Sequence, residues 1–271
     1  MTQQIASLKD FLAAVKLPAI PEVAMLLLQT LNKDDLHITE ITSLIERDPS
    51  IAATVLKHAN SSRYGLSNKV GNISDAIRVL GFNNVRIIAL AASVASAYPI
   101  ASGLDKDEFW KSSSTTADFA SAIAAKLKRE RHTPWMVGFL LRVGELMIAQ
   151  YDIHSIATIE ALPMEPGQRW KREFSIFGLT EGQVVAQLAD SWNFPEAIVN
   201  ALRTAADPLS DEWAFFEDAA IVHIAALMSD MKMAGITDVD TMMAHLPVAV
   251  LNEINVDLDF YKDLYSPSVL A

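Results

Sequence analysis

Apolar residues recur along most of this chain at the three-and-four spacing of an amphipathic helix. Val23, Leu26, Leu27, Thr30 and Leu31 form one stripe after Pro21, and Ile38, Ile41, Leu44 and Ile45 repeat the pattern. Asp48-Pro49 predicts an N-cap followed by a proline in the first turn, where the missing N–H costs nothing. That helix carries Ile51, Val55, Leu56 and Ala59 and stops near Asn60-Ser61. Beyond a loop punctuated by Gly65 and Gly71, Ser74 is the expected cap of a helix from Asp75 to Leu80. Gly81 breaks it before a longer helix from about Asn83 to Ala97. Tyr98 to Gly103 reads as a break between two helical lobes. In the second lobe, Asp105 and Glu108 have capping-box spacing ahead of a helix to about Arg131. Thr133-Pro134 opens an apolar helix through Trp135, Val137, Phe139, Leu140, Val143, Met147 and Ile148. Thr180 and Gln183 mark a second capping box, Pro195 starts a short helix, and Ser210 to about Met233 reads as a long one. No alternating pattern of strand length and no internal repeat interrupts the series. The predicted fold class is all-α.

Composition narrows what such a helical chain does. With 271 residues, 51% apolar and 20% charged, it is long enough to bury a large core and is not a disordered sequence. It has no cysteine, which excludes disulfides, thiolate metal sites and cysteine nucleophiles. The net charge of −11 disfavours general binding to phosphate backbones or anionic membranes. The imbalance is local. Residues 1–104 hold nine basic and eight acidic residues, whereas residues 105–271 hold thirteen and twenty-five. No stretch reaches the roughly 20 apolar residues of a membrane helix, and Lys9 and Asp10 fall where a signal peptide needs its apolar segment. A cytoplasmic protein is expected.

Signatures of phosphate-cradling or nucleophile chemistry are absent: the chain has no GxG, no GK[ST] and no GxSxG. Its histidines, His37, His58, His132, His154, His223 and His245, are all more than twenty positions apart, so no two share a helix face as metal ligands do. His223, amid Ile221, Val222, Ile224 and Ala225, and His58 read as satisfied core or near-core residues. Asp34-Asp35, Asp211-Glu212 and Glu217-Asp218 fit helix N-termini or exposed faces. The basic clusters Lys126, Lys128, Arg129, Arg131 and Arg169, Lys171, Arg172 read as solvated helix ends, with an anion contact as the alternative. Met228, Met231, Met233, Met242 and Met243 read as gap-filling core before a groove for a partner helix.

A series of short motifs carries a resemblance. Leu17-Pro-Ala-Ile-Pro21, Ile45-Glu-Arg-Asp-Pro49, Val55-Leu-Lys-His-Ala-Asn-Ser61, Tyr64-Gly65 and Ile73-Ser-Asp-Ala-Ile-Arg-Val-Leu-Gly81 follow in order. Phe109-Trp110, Gly138-Phe-Leu-Leu-Arg-Val-Gly144, Phe177-Gly178 and Trp192-Asn-Phe-Pro195 continue it. The series resembles the HDOD family, a bacterial signalling domain related to the HD-domain phosphohydrolases, over roughly residues 17–227. The resemblance implies a single two-lobed helical domain. Its parts are an N-terminal lobe over about 1–100, an HD-like lobe over about 104–235 and an acidic helical extension over about 236–271.

It also implies where hydrolytic metal chemistry would sit, because HD hydrolases use histidines and aspartates to hold a cation that acidifies an attacking water. The matching positions here are Ser112, Leu141, Arg142, Glu181 and Ala226. Leu141 and Ala226 offer no ligand, Ser112 is a poor one, and Arg142 carries a positive charge. Only Glu181 could bind metal, and no His-Asp dipeptide exists anywhere in the chain. The expectation is a non-enzymatic regulatory module of signal transduction that binds a protein partner or small ligand, with no cofactor. Its length leaves no room for a companion receiver or cyclic-di-GMP domain, so input and output are expected from other proteins. A metal-dependent phosphohydrolase is the alternative. A second alternative has the first lobe reading nucleic acid in helix-turn-helix fashion through Arg47, Lys57, Arg63 and Lys69, a face diluted by Glu40, Glu46 and Asp48. Arg63, Tyr64 and Lys69, between two helices, form the expected interaction surface. Arg142, if buried, must find a carboxylate, with Glu145 and Glu181 the nearest by motif.

Overall fold

The structure is a computed structural model that describes residues 11, 19–30, 37–60, 69–161, 165–236 and 238–256. Every regular element among them is a helix. The chain divides between Ala97 and Tyr98 into two compact units. No helix among the described residues is long and apolar enough to cross a membrane.

The unit ending at Ala97 holds α1 (Glu22–Leu28), α2 (Ile38–Glu46), α3 (Pro49–Ala59), α4 (Ile73–Leu80) and α5 (Phe82–Ser96). The first four each bury one stripe: Ala24 and Leu27, Ile41 and Ile45, Ile51 with Val55 and Ala59, and Ile73 with Ala76, Ile77 and Leu80. Helix α5 is buried from Val85 to Ala95, mostly apolar but with Arg86 and Ser93 inside the stretch, and α1 and α3 pack against it. Asp48 caps α3 as its position requires, accepting from the Ser50 and Ile51 amides at 2.9 and 3.3 Å. At α4 the cap is Asn72, which accepts from the Asp75 amide at 2.8 Å, and not Ser74. The helix starts two residues earlier than the serine suggested, which places Ser74 inside its first turn. Leu31 lies outside the described residues.

The other unit holds Phe11 and α6 (Lys106–Lys126), α7 (His132–Leu140), α8 (Val143–Tyr151), α9 (Ile153–Ile159) and α10 (Gln168–Phe177). It continues with α11 (Glu181–Ser191), α12 (Glu196–Thr204), α13 (Glu217–Met233), α14 (Val239–His245) and α15 (Val248–Glu253). Helix α6 is its spine, flanked by α7 and α13, while α11 packs against α8 and α12. Asp105 caps α6 through the Glu108 amide at 2.8 Å, and the Thr180 amide donates to Gln183 Oε1 at 3.0 Å at the head of α11. Two expected helices differ. The apolar run from Thr133 to Ile148 is divided by a turn at Leu141-Arg142 into α7 and α8. The run from Ser210 is turns until Phe216, and α13 begins at Glu217. Met228, Met231, Met242 and Met243 are buried and fill core as expected, whereas Met233 is only half-buried.

Candidate functional site

The α7–α8 corner is where charge enters the core. Arg142 is 5% exposed, and Glu145, Glu173 and Glu181 are fully buried. Arg142 donates through Nη2 and Nε to Glu145 Oε2 at 2.6 and 3.2 Å, one helical turn away. The same Nη2 lies 3.2 Å from Glu160 Oε1, at the end of α9, and the guanidinium sits 4.7 Å over the Phe109 ring. A second guanidinium, Arg169 at the start of α10, lies 3.2 Å from Glu181 Oε1 and 3.5 Å from Asp230 Oδ1 of α13. Trp170 Nε1 donates to the same Glu181 oxygen at 2.9 Å, and the Glu181 amide donates to Glu173 Oε2 at 2.8 Å. Asp230 also accepts from the Gly167 amide at 3.0 Å. Five helices thus contribute charge to a largely buried cluster, with Glu160 at its partly exposed edge.

Close backbone approach makes this possible. A Cβ on Gly144 would stand 1.9 Å from the Glu181 carbonyl oxygen, and one on Gly182 would stand 2.4 Å from that of Leu202. Only glycine lets α8 meet the head of α11, and Leu141 fills the space beside Gly182.

The cluster sets its own ionisation. Burial works against both guanidiniums, but the facing carboxylates, Glu145 for Arg142 and Glu181 for Arg169, raise their pKa values and keep them cationic. Burial pushes Glu173 well above the usual carboxylate range, and the Glu181 charge adds to it. Burial likewise pushes Glu145 up to about 7, with Arg142 opposing and Glu160 assisting. Burial would also raise Glu160, but Arg142, Arg169 and a hydrogen bond with Glu145 hold it below its ordinary value.

Residues 17–208 match the HDOD domain family. The chain belongs to the HDOD family. Among solved structures, this HDOD fold superposes on a Shewanella amazonensis SB2B protein provisionally named a phosphohydrolase, with TM-score 0.73 and 26% identity over 92% of this chain and 90% of that one. An HDOD domain protein of unknown function from Geobacter sulfurreducens gives TM-score 0.71 at 20% identity over 95% and 92%. A Marinobacter aquaeolei VT8 protein provisionally named a signal transduction protein gives 0.72 at 22% identity over 99% of this chain and 59% of that one. An uncharacterized protein from Treponema pallidum is 24% identical over 74% of this chain, and YuxH of Bacillus subtilis, also uncharacterized, is 34% identical over 52%. The chain spans 39% and 34% of the lengths of those two proteins.

Within the HDOD fold, the five residues that the hydrolase resemblance points to, Ser112, Leu141, Arg142, Glu181 and Ala226, are all buried. Leu141, Arg142 and Glu181 converge at the α7–α8 corner, with Ser112 and Ala226 on the packed pair α6 and α13; the Ser112 carbonyl accepts from Ser229 Oγ at 3.2 Å. These residues do not fit a divalent cation. Leu141 and Ala226 have no donor atom, Arg142 turns its guanidinium onto Glu145 and Glu160, and Arg169 already occupies Glu181 Oε1. Among the described residues, no three His, Asp or Glu side chains are grouped as metal ligands. Of the two carboxylates expected for Arg142, Glu145 takes the role and Glu181 pairs with Arg169 instead.

That second guanidinium corrects the expectation of a solvated cluster at Arg169, Lys171 and Arg172. Arg169 is buried, and Arg172 donates to the carbonyls of Ile159 and Ala161 and to Gln168 Oε1; Lys171 is exposed. The signal was present in the sequence, because Trp170 and Phe177 mark the buried face of α10 and Arg169 and Glu173 fall on it. Glu160, Glu173 and Asp230 were not singled out at all. His223 is the satisfied near-core residue expected, with Nδ1 2.7 Å from the Ala205 carbonyl and its ring stacked on Trp170. Of the expected interaction loop, Arg63 and Tyr64 lie outside the described residues and Lys69 is exposed. Asn60 binds the chain on the far side of that loop, accepting from the Val70 amide at 2.7 Å and donating to its carbonyl at 2.8 Å.

Proposed function

We propose that this HDOD protein is a non-catalytic regulatory module of bacterial signal transduction that engages a protein partner or small ligand. The observation that carries the reading is the pair of guanidiniums, Arg142 and Arg169, set among the carboxylates at the corner where the hydrolase resemblance would put a cation. A guanidinium held by two carboxylates in a dry core repels a metal and cannot activate water as a bound cation does. The neighbour provisionally named a signal transduction protein is in keeping with this role. The test has two arms. Elemental analysis of the purified protein is expected to find no stoichiometric transition metal, and a screen of nucleotides and cyclic dinucleotides with added Mn²⁺ or Mg²⁺ to find no hydrolysis. Co-purification from the native host followed by mass spectrometry is expected to recover a signalling protein.

Metal-dependent phosphohydrolysis is the competing reading, favoured by the name of the 26% identical Shewanella neighbour. About one metal per chain, lost together with a hydrolytic activity on Glu181→Gln, would establish it and overturn the proposal.

A further inference from the structure

A cleft of about 350 Å³ opens between α10 and the loop that joins α12 to α13, within a single unit of the chain. That volume lies in the range of small-molecule sites. Phe174 of α10 lines it at 60% exposure and Trp213 of the loop at 44%, with Trp170 buried beside them. Among the described residues neither Phe174 nor Trp213 stacks on another ring, and Trp213 instead carries the Arg203 guanidinium 4.9 Å over its ring. Charges line the cleft as well. Lys171 and Arg203 share it with Asp207 and Glu212, yet no ion pair joins either cation to either carboxylate. Two of its walls are set before anything binds. Arg203 Nη1 donates to Asn200 Oδ1 at 2.8 Å, and a guanidinium has further N–H groups to offer a carboxylate. Trp170 is held by Glu181 Oε1 at 2.9 Å and by the His223 ring stacked on it.

We infer that this cleft binds a free aromatic α-amino acid. The ligand ring lies against Phe174 and Trp213, its carboxylate meets Arg203 and Lys171, and its ammonium meets Asp207 and Glu212. Each part of the cleft selects that class. Exposed aromatic side chains favour a ring over an aliphatic chain of the same size. Charges of both signs that leave one another unpaired favour a zwitterion. A phosphate ester meets repulsion from the two carboxylates, within a half of the chain that holds thirteen basic and twenty-five acidic residues. A residue inside a peptide carries neither of the two end charges, so the free amino acid fits where a partner's segment does not. The inference deepens the small-ligand side of the proposed function and rests on that reading.

Isothermal titration calorimetry of the full chain with L-phenylalanine, L-tyrosine and L-tryptophan tests this directly. Saturable binding of at least one is expected, with a Kd of about 1 mM or tighter. Phenethylamine lacks the carboxylate and 3-phenylpropionate lacks the ammonium, and each is expected to bind at least about tenfold more weakly. L-Leucine, which keeps both charges and loses the ring, is expected to weaken by a similar factor of about ten. Trp213→Ala, Arg203→Gln and Asp207→Asn change exposed or half-buried side chains, so the urea midpoint should stay near that of the parent. Each is expected to weaken binding by about tenfold. Absence of saturation by all three amino acids overturns the inference. So does binding that survives the loss of either ligand charge, binding that ignores the variants, or tighter binding of adenosine monophosphate. Those failures leave the non-catalytic reading standing, whereas metal-dependent hydrolysis by a chain that still binds the amino acid overturns that reading alone.

Discussion

Replacing Gly144 by alanine probes the contact on which the whole charged cluster depends. The added Cβ would lie 1.9 Å from the Glu181 carbonyl oxygen, 2.6 Å from its carbonyl carbon and 2.8 Å from its Cα. All three are backbone atoms, so no side chain can turn aside, and α8 and the head of α11 must part by about 1 Å or more. Overpacking of this kind costs about 1–3 kcal/mol by itself. The shift also stretches hydrogen bonds anchored on Glu181: its amide to Glu173 at 2.8 Å and its carboxylate to Trp170 at 2.9 Å and Arg169 at 3.2 Å. Weakening one charged bond there adds roughly 1.5–3 kcal/mol, for a total near 4 kcal/mol. At about 2–4 °C per kcal/mol for a chain of this size, the thermal midpoint falls by roughly 10 °C. Urea unfolding followed by far-ultraviolet circular dichroism measures the same loss as a lower midpoint at unchanged slope. Gly71→Ala is the control, since nothing lies within 4 Å of its Cβ position, and it should change stability by less than about 0.5 kcal/mol. A Gly144→Ala protein as stable as that control would refute the close approach and with it the geometry of the site.

Three further outcomes are expected. Arg169→Met should cost about 3–5 kcal/mol in urea unfolding, because it strands Glu181 and Asp230 without their cation, and adding Glu181→Leu should recover part of that loss; strictly additive losses would contradict the pairing. Glu145 has a folded pKa raised to about 7, so between about pH 4.5 and 7 the native state binds the extra proton and stability falls as pH rises, by at most about 3 kcal/mol. Burial pulls the pKa of His223 down, which contributes with the opposite sign, so the quantity to compare is the slope of unfolding free energy with pH in the parent and in Glu145→Gln, where it should flatten. Asn60→Ala removes the side-chain bonds to Leu56 and to both backbone groups of Val70, and should cost about 1 kcal/mol in the same assay.

Local rules made most of the fold legible. Helix stripes need only the three-and-four spacing, and caps such as Asp48 and Asp105 act within three residues of themselves, so both can be read from a short window. At α4, where Ser74 was the expected cap and Asn72 takes the role, the difference is a two-residue shift in the helix start that local pattern does not fix. The break at Leu141-Arg142 was invisible for another reason. The run is apolar on both sides of it, and what divides it is the need for Gly144 to reach α11, a contact with a residue thirty-seven positions on. The run from Ser210 failed in the opposite sense: Trp213 and Phe215, inside the expected helix, are both exposed, and Trp213 carries the Arg203 guanidinium 4.9 Å over its ring.

The candidate site divides along the same line. Arg142 with Glu145 is an i, i+3 pair on one helical turn and could be anticipated from spacing. Arg169 with Asp230 spans sixty-one positions, and Glu160 reaches Arg142 only because α9 folds back on α8. Those partners decide what the cluster does. A helical core that held an exchangeable cation would have its charge set by occupancy, whereas guanidiniums fixed to α10 and to the α7–α8 corner supply two positive charges permanently. Five carboxyl groups face those two, and the fold meets the excess in two ways: burial raises Glu173 well above the usual carboxylate range and Glu145 to about 7, while Glu160, its side chain 25% exposed, keeps a face to water.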